Sequence, residues 1–209
     1  ETEAEIYETI GLPWIVPELR EDRGELEAAE AGALPDLVTL EDLRGDLHVH
    51  TTASDGKASL REMAEAAQAM GHAYLAITDH SRSQTVARGL DADRLARHIE
   101  EIDALNGELD GLRLLRASEV DILEDGTLDY PDSVLESLDL VVVAVHAKFD
   151  LSERAQTDRI VRALENPHVS ILAHPTGRLI GERRAYAVDL HRVIEAAAEN
   201  GCFIEVNAN

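Results

Sequence analysis

Asp46-Leu47-His48-Val49-His50-Thr51-Thr52-Ala53-Ser54-Asp55-Gly56 reads as a short strand that runs into a turn. Side chains alternate along a strand, so His48 and His50, two residues apart, aim their rings at one face. Ser54-Asp55-Gly56 is a turn whose carboxylate can swing back toward the same face. Ser59-Leu60-Arg61-Glu62 then has the spacing of a capping box and opens a helix over residues 59–70. Gly71 stands where a helix ends in a left-handed residue.

The same unit recurs outward from this stretch. Apolar or β-branched runs at 46–50, 74–80, 113–123, 138–146, 169–174 and 202–208 alternate with helical stretches over about 59–70, 91–109, 131–137, 152–165 and 189–200. Asp91 and Ser152 suit the N-caps of the second and fourth helices. Leu95, Ile99, Ile102 and Leu109 form an apolar stripe on the second. Strands that are apolar throughout and alternate with helices predict a parallel sheet covered on both faces, an α/β fold. Six strands are counted, the sixth at the end of the chain. Residues 1–44 differ: Pro13, Pro17 and Pro35 and the acidic run 18–25 read as a short helix followed by a largely irregular linker arm with one or two helical turns.

Composition narrows the class. The chain has 209 residues, of which 44% are apolar, enough for a substantial core. Its formal charge is -23, and its basic residues are almost all Arg, with Lys57 and Lys148 the two lysines. So acidic a surface is a poor general ligand for nucleic acid, and any such role must rest on a local site, a metal or a partner domain. It also fits a salt-rich cytoplasm, where surface repulsion is screened. One cysteine, Cys202, excludes an intrachain disulfide and a thiolate zinc cluster. No membrane partner is expected, because no apolar run is long enough to span a bilayer. The acidic start is not a signal peptide, so the expected location is cytoplasmic. The missing initiator Met reads as a fragment or a processed chain.

The strands end in metal-ligand residues. The first ends in His48 and His50, the second in Asp79-His80, the fourth in His146 and the fifth in His174, while the third carries Glu119. The carboxyl end of the strands is where α/β folds build sites. Histidine and carboxylate without thiolate is a nitrogen–oxygen set suited to Zn²⁺, Mn²⁺ or Fe²⁺. So many ligands imply more than one ion, and Glu119 is the natural bridging carboxylate. Such a cluster can activate water and clamp a phosphoryl group. His72, His98, His168 and His191 lie away from the strand ends and read as solvated or helix-terminal.

These motifs resemble the PHP (polymerase and histidinol phosphatase) family. The stretch 46–56 resembles its first motif, Ile77-Thr78-Asp79-His80 its second, and Glu119, His146 and His174-Pro175 follow in order. Asp79-His80-Ser81-Arg82-Ser83, Glu119-Val120-Asp121-Ile122-Leu123 and His174-Pro175-Thr176-Gly177-Arg178-Leu179 are most similar to the C-terminal PHP domain of bacterial and archaeal family X DNA polymerases. The arm resembles the segment that joins polymerase and PHP regions there. The resemblance implies two parts, a linker over 1–44 and a PHP phosphoesterase domain over 45–209, with a polymerase region elsewhere in the parent chain as partner.

The resemblance further implies a distorted (β/α)₇ TIM-like barrel and two to three divalent ions, manganese or zinc, with iron a further candidate. His48, His50 and Glu119 would bind one ion, Glu119, His146 and His174 a second, and Asp55 with His80 a third. The family's last motif, an Asp-x-His on a seventh strand, is absent, which leaves the first and third positions short of one ligand each and the site of this chain weakened. The implied activity is 3′→5′ exonuclease and 3′-end processing of DNA in repair, with Glu119, His146 and His174 at the catalytic centre.

Arg178, Lys148, Arg82 and Arg184 are candidate phosphate contacts at the rim, Arg178 foremost, because guanidinium pairs bidentately with phosphate. Asp121, two residues beyond Glu119, would share its face as an anchor. Two rival readings are a small-molecule phosphatase of the histidinol-phosphate type and a structural module supporting the polymerase.

Overall fold

A computed structural model describes residues 2–206, and the chain divides between Leu43 and Arg44 into two compact units. In the first unit, α1 (Glu3–Thr9) opens with a capping box between Thr2 and Glu5, and α2 (Glu25–Glu30) follows. Arg20 links this unit internally, donating to the Ile15 carbonyl at 2.8 Å and to Glu3 at 2.8 Å.

The second unit alternates strand and helix throughout. Its elements are β1 (Gly45–Val49), α3 (Leu60–Ala69), β2 (Tyr74–Ile77), α4 (Ala92–Asn106), β3 (Arg113–Asp121), α5 (Asp132–Leu135), β4 (Leu140–Ala144), α6 (Glu153–Leu164), β5 (Ile171–Leu172), α7 (Leu190–Asn200) and β6 (Phe203–Ile204). Ser59, Asp91, Ser152 and Asp189 cap α3, α4, α6 and α7 by accepting from a backbone N–H in the first turn. Gly71 takes φ +77 just past α3. The expected strands and helices are present but shorter, most clearly at β5, β6 and α5. The expected strand at 202–208 extends into residues 207–209, which lie outside the described residues. Among the described residues there is no seventh strand, and no helix is long and apolar enough to cross a membrane.

The six strands form one parallel sheet in the order β1-β2-β3-β4-β5-β6. Alternation along β4 explains its continuous apolar sequence. Val141, Val143 and Val145 pack on the helices with Ile160, Leu164 and Leu172, whereas Val142 and Ala144 face the other side with Ile171 and Ala173. Both layers are closely packed, so truncating Ile160 or Leu164 to Ala would cost about 2–5 kcal/mol.

The sheet curls. Strands spaced about 4.8 Å apart would put β1 and β6 roughly 24 Å apart if the sheet were flat. Instead His48, on β1, and Glu205, just past β6, are in hydrogen-bond contact at 2.8 Å. The result is an incomplete barrel whose inner face carries Val142, Ala144, Ile171 and Ala173 and whose C-terminal mouth is drawn together.

Candidate metal centre

The period-2 pattern decides which side chains reach the mouth. His146 stands in phase with the inward-facing Val142 and Ala144, two residues past the end of β4. Glu119 pairs in register with Val142 and faces inward. On β2 the parity separates two neighbours. His80 faces the mouth, while Asp79, in phase with the helix-facing Leu75 and Ile77, turns toward α4.

His174 breaks the rule. It follows the inward-facing Ala173, so a regular strand would aim it at the helices. Its backbone instead takes φ +28, a region that L residues rarely occupy. The kink brings Nε2 to 2.9 Å from Glu119 Oε1. Its own N–H donates to Glu205 at 2.8 Å. Strain of this kind persists only where the surroundings over-determine it, and it clusters at functional sites.

The buried Glu119 carboxylate is the hub. Oε1 lies 3.4 Å from His48 Nε2, 3.2 Å from His146 Nε2 and 2.9 Å from His174 Nε2. Oε2 lies 3.4 Å from His50 Nε2 and 3.0 Å from His80 Nδ1. Asp55, on the turn after β1, faces His50 Nδ1 at 3.4 Å and His80 Nε2 at 3.6 Å. Gly56 is required there, since a Cβ would overlap the His50 carbonyl. These side chains, with Gln84, Val86, Ala87 and Glu205, line a cavity of about 570 Å³.

A second layer orients the rings. His48 Nδ1 faces Glu205 at 2.8 Å and His146 Nδ1 faces Asp121 at 3.1 Å, which aims both Nε2 atoms at the hub. Carboxylates behind histidine ligands fix the tautomer in this way. The electrostatics follow. Burial disfavours a charged His48, but hydrogen bonds to Glu119 and Glu205 outweigh it and push the ring up to about 10. Burial likewise opposes charge on His146, and Asp121 with Glu119 carries it up to about 9. Burial, with His80 and His48 beside it, holds His50 below its usual value. Burial alone would raise Glu119, yet His146, His174, His48 and His80 hold it well below the carboxylate range.

The donor set fits divalent cations. His50 Nδ1 and His80 Nδ1 are buried without a hydrogen-bond partner, although carboxylate oxygens stand 3.4 and 3.0 Å away; the contacts are close but misaligned for hydrogen bonding. Among the described residues three overlapping groups could each hold an ion: His48, His50 and Glu119; His50, Asp55 and His80; and His80, Glu119 and His146. All seven expected ligands thus meet at one mouth. The grouping differs from the expected one: His80 stands in the place expected for His174 beside Glu119 and His146, His50 joins Asp55 and His80, and His174, though in contact with Glu119, belongs to none of the three groups.

The four expected phosphate contacts lie farther out. Arg82, Lys148, Arg178 and Arg184 are exposed on the loops after β2, β4 and β5, and among the described residues none of them lines the cavity. Lys148 is paired with Glu124 at 3.3 Å. Sequence reasoning missed Glu205, although the rule that strand ends carry ligands applies to β6 as to the others. It also placed His98 wrongly as solvated or helix-terminal. His98 is buried and its Nε2 lies 3.0 Å from Asp79.

A family model described as PHP domain matches residues 46–209. The DNA polymerase/3′-5′ exonuclease PolX of Bacillus subtilis (strain 168) is 48% identical over 208 residues, which cover 100% of this chain and 36% of that protein. A probable phosphatase of Thermoanaerobacter sp. (strain X514) is 31% identical over 78% of this chain and 63% of its own length. The chain therefore spans about a third of the first relative and under two thirds of the second. Among solved structures, histidinol phosphate phosphatase from Lactococcus lactis subsp. lactis Il1403, complexed with zinc, L-histidinol and phosphate, matches with a TM-score of 0.50 at 18% identity, over 78% of this chain and 73% of that one. That likeness concerns the fold: an α/β barrel of this type.

Proposed function

Because the chain belongs to the PHP domain family, we propose that it is a metal-dependent phosphoesterase that removes nucleotides from DNA 3′ ends within a longer family X DNA polymerase. The observation that carries this reading is the convergence of five imidazoles on the single buried carboxylate of Glu119. Two to three divalent ions, manganese or zinc with iron a further candidate, would supply Lewis acidity and an activated water there when bound.

The chain's own residues do the rest. Glu119 presents its two oxygens to different rings and so can bridge ions. His48, His50, Asp55, His80, His146 and His174 complete the ligand set. Asp121 and Glu205 keep the His146 and His48 rings in the ligating orientation. No protein nucleophile is needed.

The DNA reading draws on the polymerase relative. In a chain of net charge -23 the loops that follow the strands mix charges, with Asp55, Asp91, Asp150 and Glu182 beside Lys57, Arg88, Lys148 and Arg178, so attraction for a phosphate backbone rests on single side chains and on bound ions. Arg178, Lys148, Arg82 and Arg184 are the proposed phosphate contacts, and cytoplasmic repair synthesis is the setting that fits.

The test is a primed, 3′-labelled duplex incubated with the full-length protein and Mn²⁺, beside Glu119→Gln. Stepwise loss of 3′ nucleotides by the parent alone is the expected result. The phosphatase relatives favour a second reading, hydrolysis of a small phosphomonoester of the histidinol-phosphate type. An intact duplex beside rapid release of phosphate from an amino-alcohol phosphate would establish it instead.

A further inference from the structure

Asp55 is the one member of the cluster carried on a turn, and it is about half exposed. Its carboxylate meets His50 and His80 at 3.4 and 3.6 Å, and among the described residues a weak contact from the Ser54 hydroxyl at 3.4 Å is its remaining side-chain hydrogen bond. Its position is therefore set by the backbone of residues 51–55.

That backbone is held from two sides. On one side Asp79, almost fully buried, accepts from the Thr51 and Ser54 N–H groups at 2.9 and 3.1 Å and from their hydroxyls at 2.7 and 2.5 Å. His98 on α4 is its fifth partner, at 3.0 Å. On the other side Arg94, one helical turn before His98, donates to the Ala53 carbonyl at 2.7 Å, and Arg88 donates to the Ser54 carbonyl. Arg94 also donates to the Arg88 and Gly89 carbonyls at 2.7 and 2.9 Å, so it fixes the loop that supplies Gln84, Val86 and Ala87 to the cavity wall.

We propose that the first two turns of α4 are a positioning element of the metal centre: Arg94 directly, and His98 through Asp79, hold the Thr51–Asp55 backbone so that Asp55 completes the position formed with His50 and His80. The proposal rests on the metal-dependent reading above. It assigns to this helix a specific effect, on one ion position of the three. Asp55 is the ligand peculiar to that position; the others draw theirs from β1, the end of β2, β3 and β4, and Glu205 and Asp121 orient His48 and His146 there.

The experiment is Mn²⁺ titration of the full-length protein, with bound ion followed by electron paramagnetic resonance, for the parent, Asp55→Ala, Arg94→Ala, His98→Ala and the two double variants that combine Asp55→Ala with each. Arg94→Ala and His98→Ala are expected to weaken the same ion as Asp55→Ala by about tenfold or more, the size seen when groups behind metal ligands are removed. They are expected to leave the remaining ions within about threefold and to add no further loss on top of Asp55→Ala. His98→Gln, whose amide can still donate to Asp79, is expected to restore most of the loss, and it serves as the folded control if His98→Ala misfolds. Unchanged affinities, a uniform loss over every ion, or additive losses in the double variants would overturn the proposal while leaving the metal-dependent reading intact. A parent that takes up no Mn²⁺ would overturn that reading first and the proposal with it.

Discussion

His98 Nε2 lies 3.0 Å from the Asp79 carboxylate, and both side chains are buried. Burial works against charge on each. For His98 the hydrogen bond and attraction of Asp79 outweigh it and raise the imidazole above its ordinary value. For Asp79 the bonds from His98, Ser54 and Thr51 outweigh it and lower the carboxyl. A raised histidine stabilises fully below about 6.5, where it titrates unfolded, and that contribution fades as pH rises through the folded value. A lowered aspartate stabilises above about 3.9 and loses its contribution as pH falls through the folded value. The pair is thus strongest between those limits. Urea unfolding of the metal-free protein should show the parent about 2 kcal/mol more stable than His98→Leu near pH 6, the size of a lost hydrogen bond to a charged group, and the gap should narrow as pH rises through the folded value of His98.

Glu119 belongs to two of the three candidate ion groups and is absent from the third. Glu119→Gln should therefore abolish uptake at two positions and leave the one formed by His50, Asp55 and His80. Hydrolysis should fall by more than about 100-fold, since even groups behind the ligands cost about 10–100-fold. Mn²⁺ stoichiometry measured beside turnover checks both halves.

Asp121 touches the cluster only through His146. Asp121→Asn keeps an acceptor for Nδ1–H but removes the charge that, against burial, helps to push the His146 ring up to about 9. Metal affinity should drop by about tenfold with little change in fold. Isothermal titration against Mn²⁺, with far-ultraviolet circular dichroism as the control, reads this out.

Arg178 stands on the rim and not in the cavity wall. Arg178→Ala should raise the KM for a single-stranded oligonucleotide and lower the slope of log affinity against log salt by roughly one. Turnover of p-nitrophenyl phosphate should stay the same. An equal loss on both substrates would place Arg178 in the site itself.

Most of the fold is legible because each strand of a parallel sheet must be apolar on both faces, and β4, Leu140–Ala144, can be read in no other way. His146 is legible for the same reason, in phase with Val142 and Ala144. His174 is legible from its place at a strand end but not from parity: periodicity sends it to the wrong face, and its kinked backbone returns it. His98 was hidden because the stripe Leu95, Ile99, Ile102 and Leu109 counts apolar residues alone; Ile99 and Leu109 do pack against the core, but the fully buried residues of α4 are Leu95, His98, Ile102 and Leu105. The helix stops at Asn106, whose side chain pairs with the Leu114 backbone at 2.8 and 2.9 Å and latches onto β3. Glu205 carries one signal, its place at the end of β6, but nothing local pairs it with His48, 157 residues away.

That separation bears on how the chain folds. A contact spanning 157 residues closes nearly the whole second unit into one loop, and the entropy of so long a closure is offset only by what the intervening strands have already gained. The His48–Glu205 clasp therefore belongs among the last contacts to form. Until it closes, the His48 ring lacks its orienting carboxylate, so the ion position that uses His48 is ready only once β6 has docked beside β5, later than the position formed by His50, Asp55 and His80.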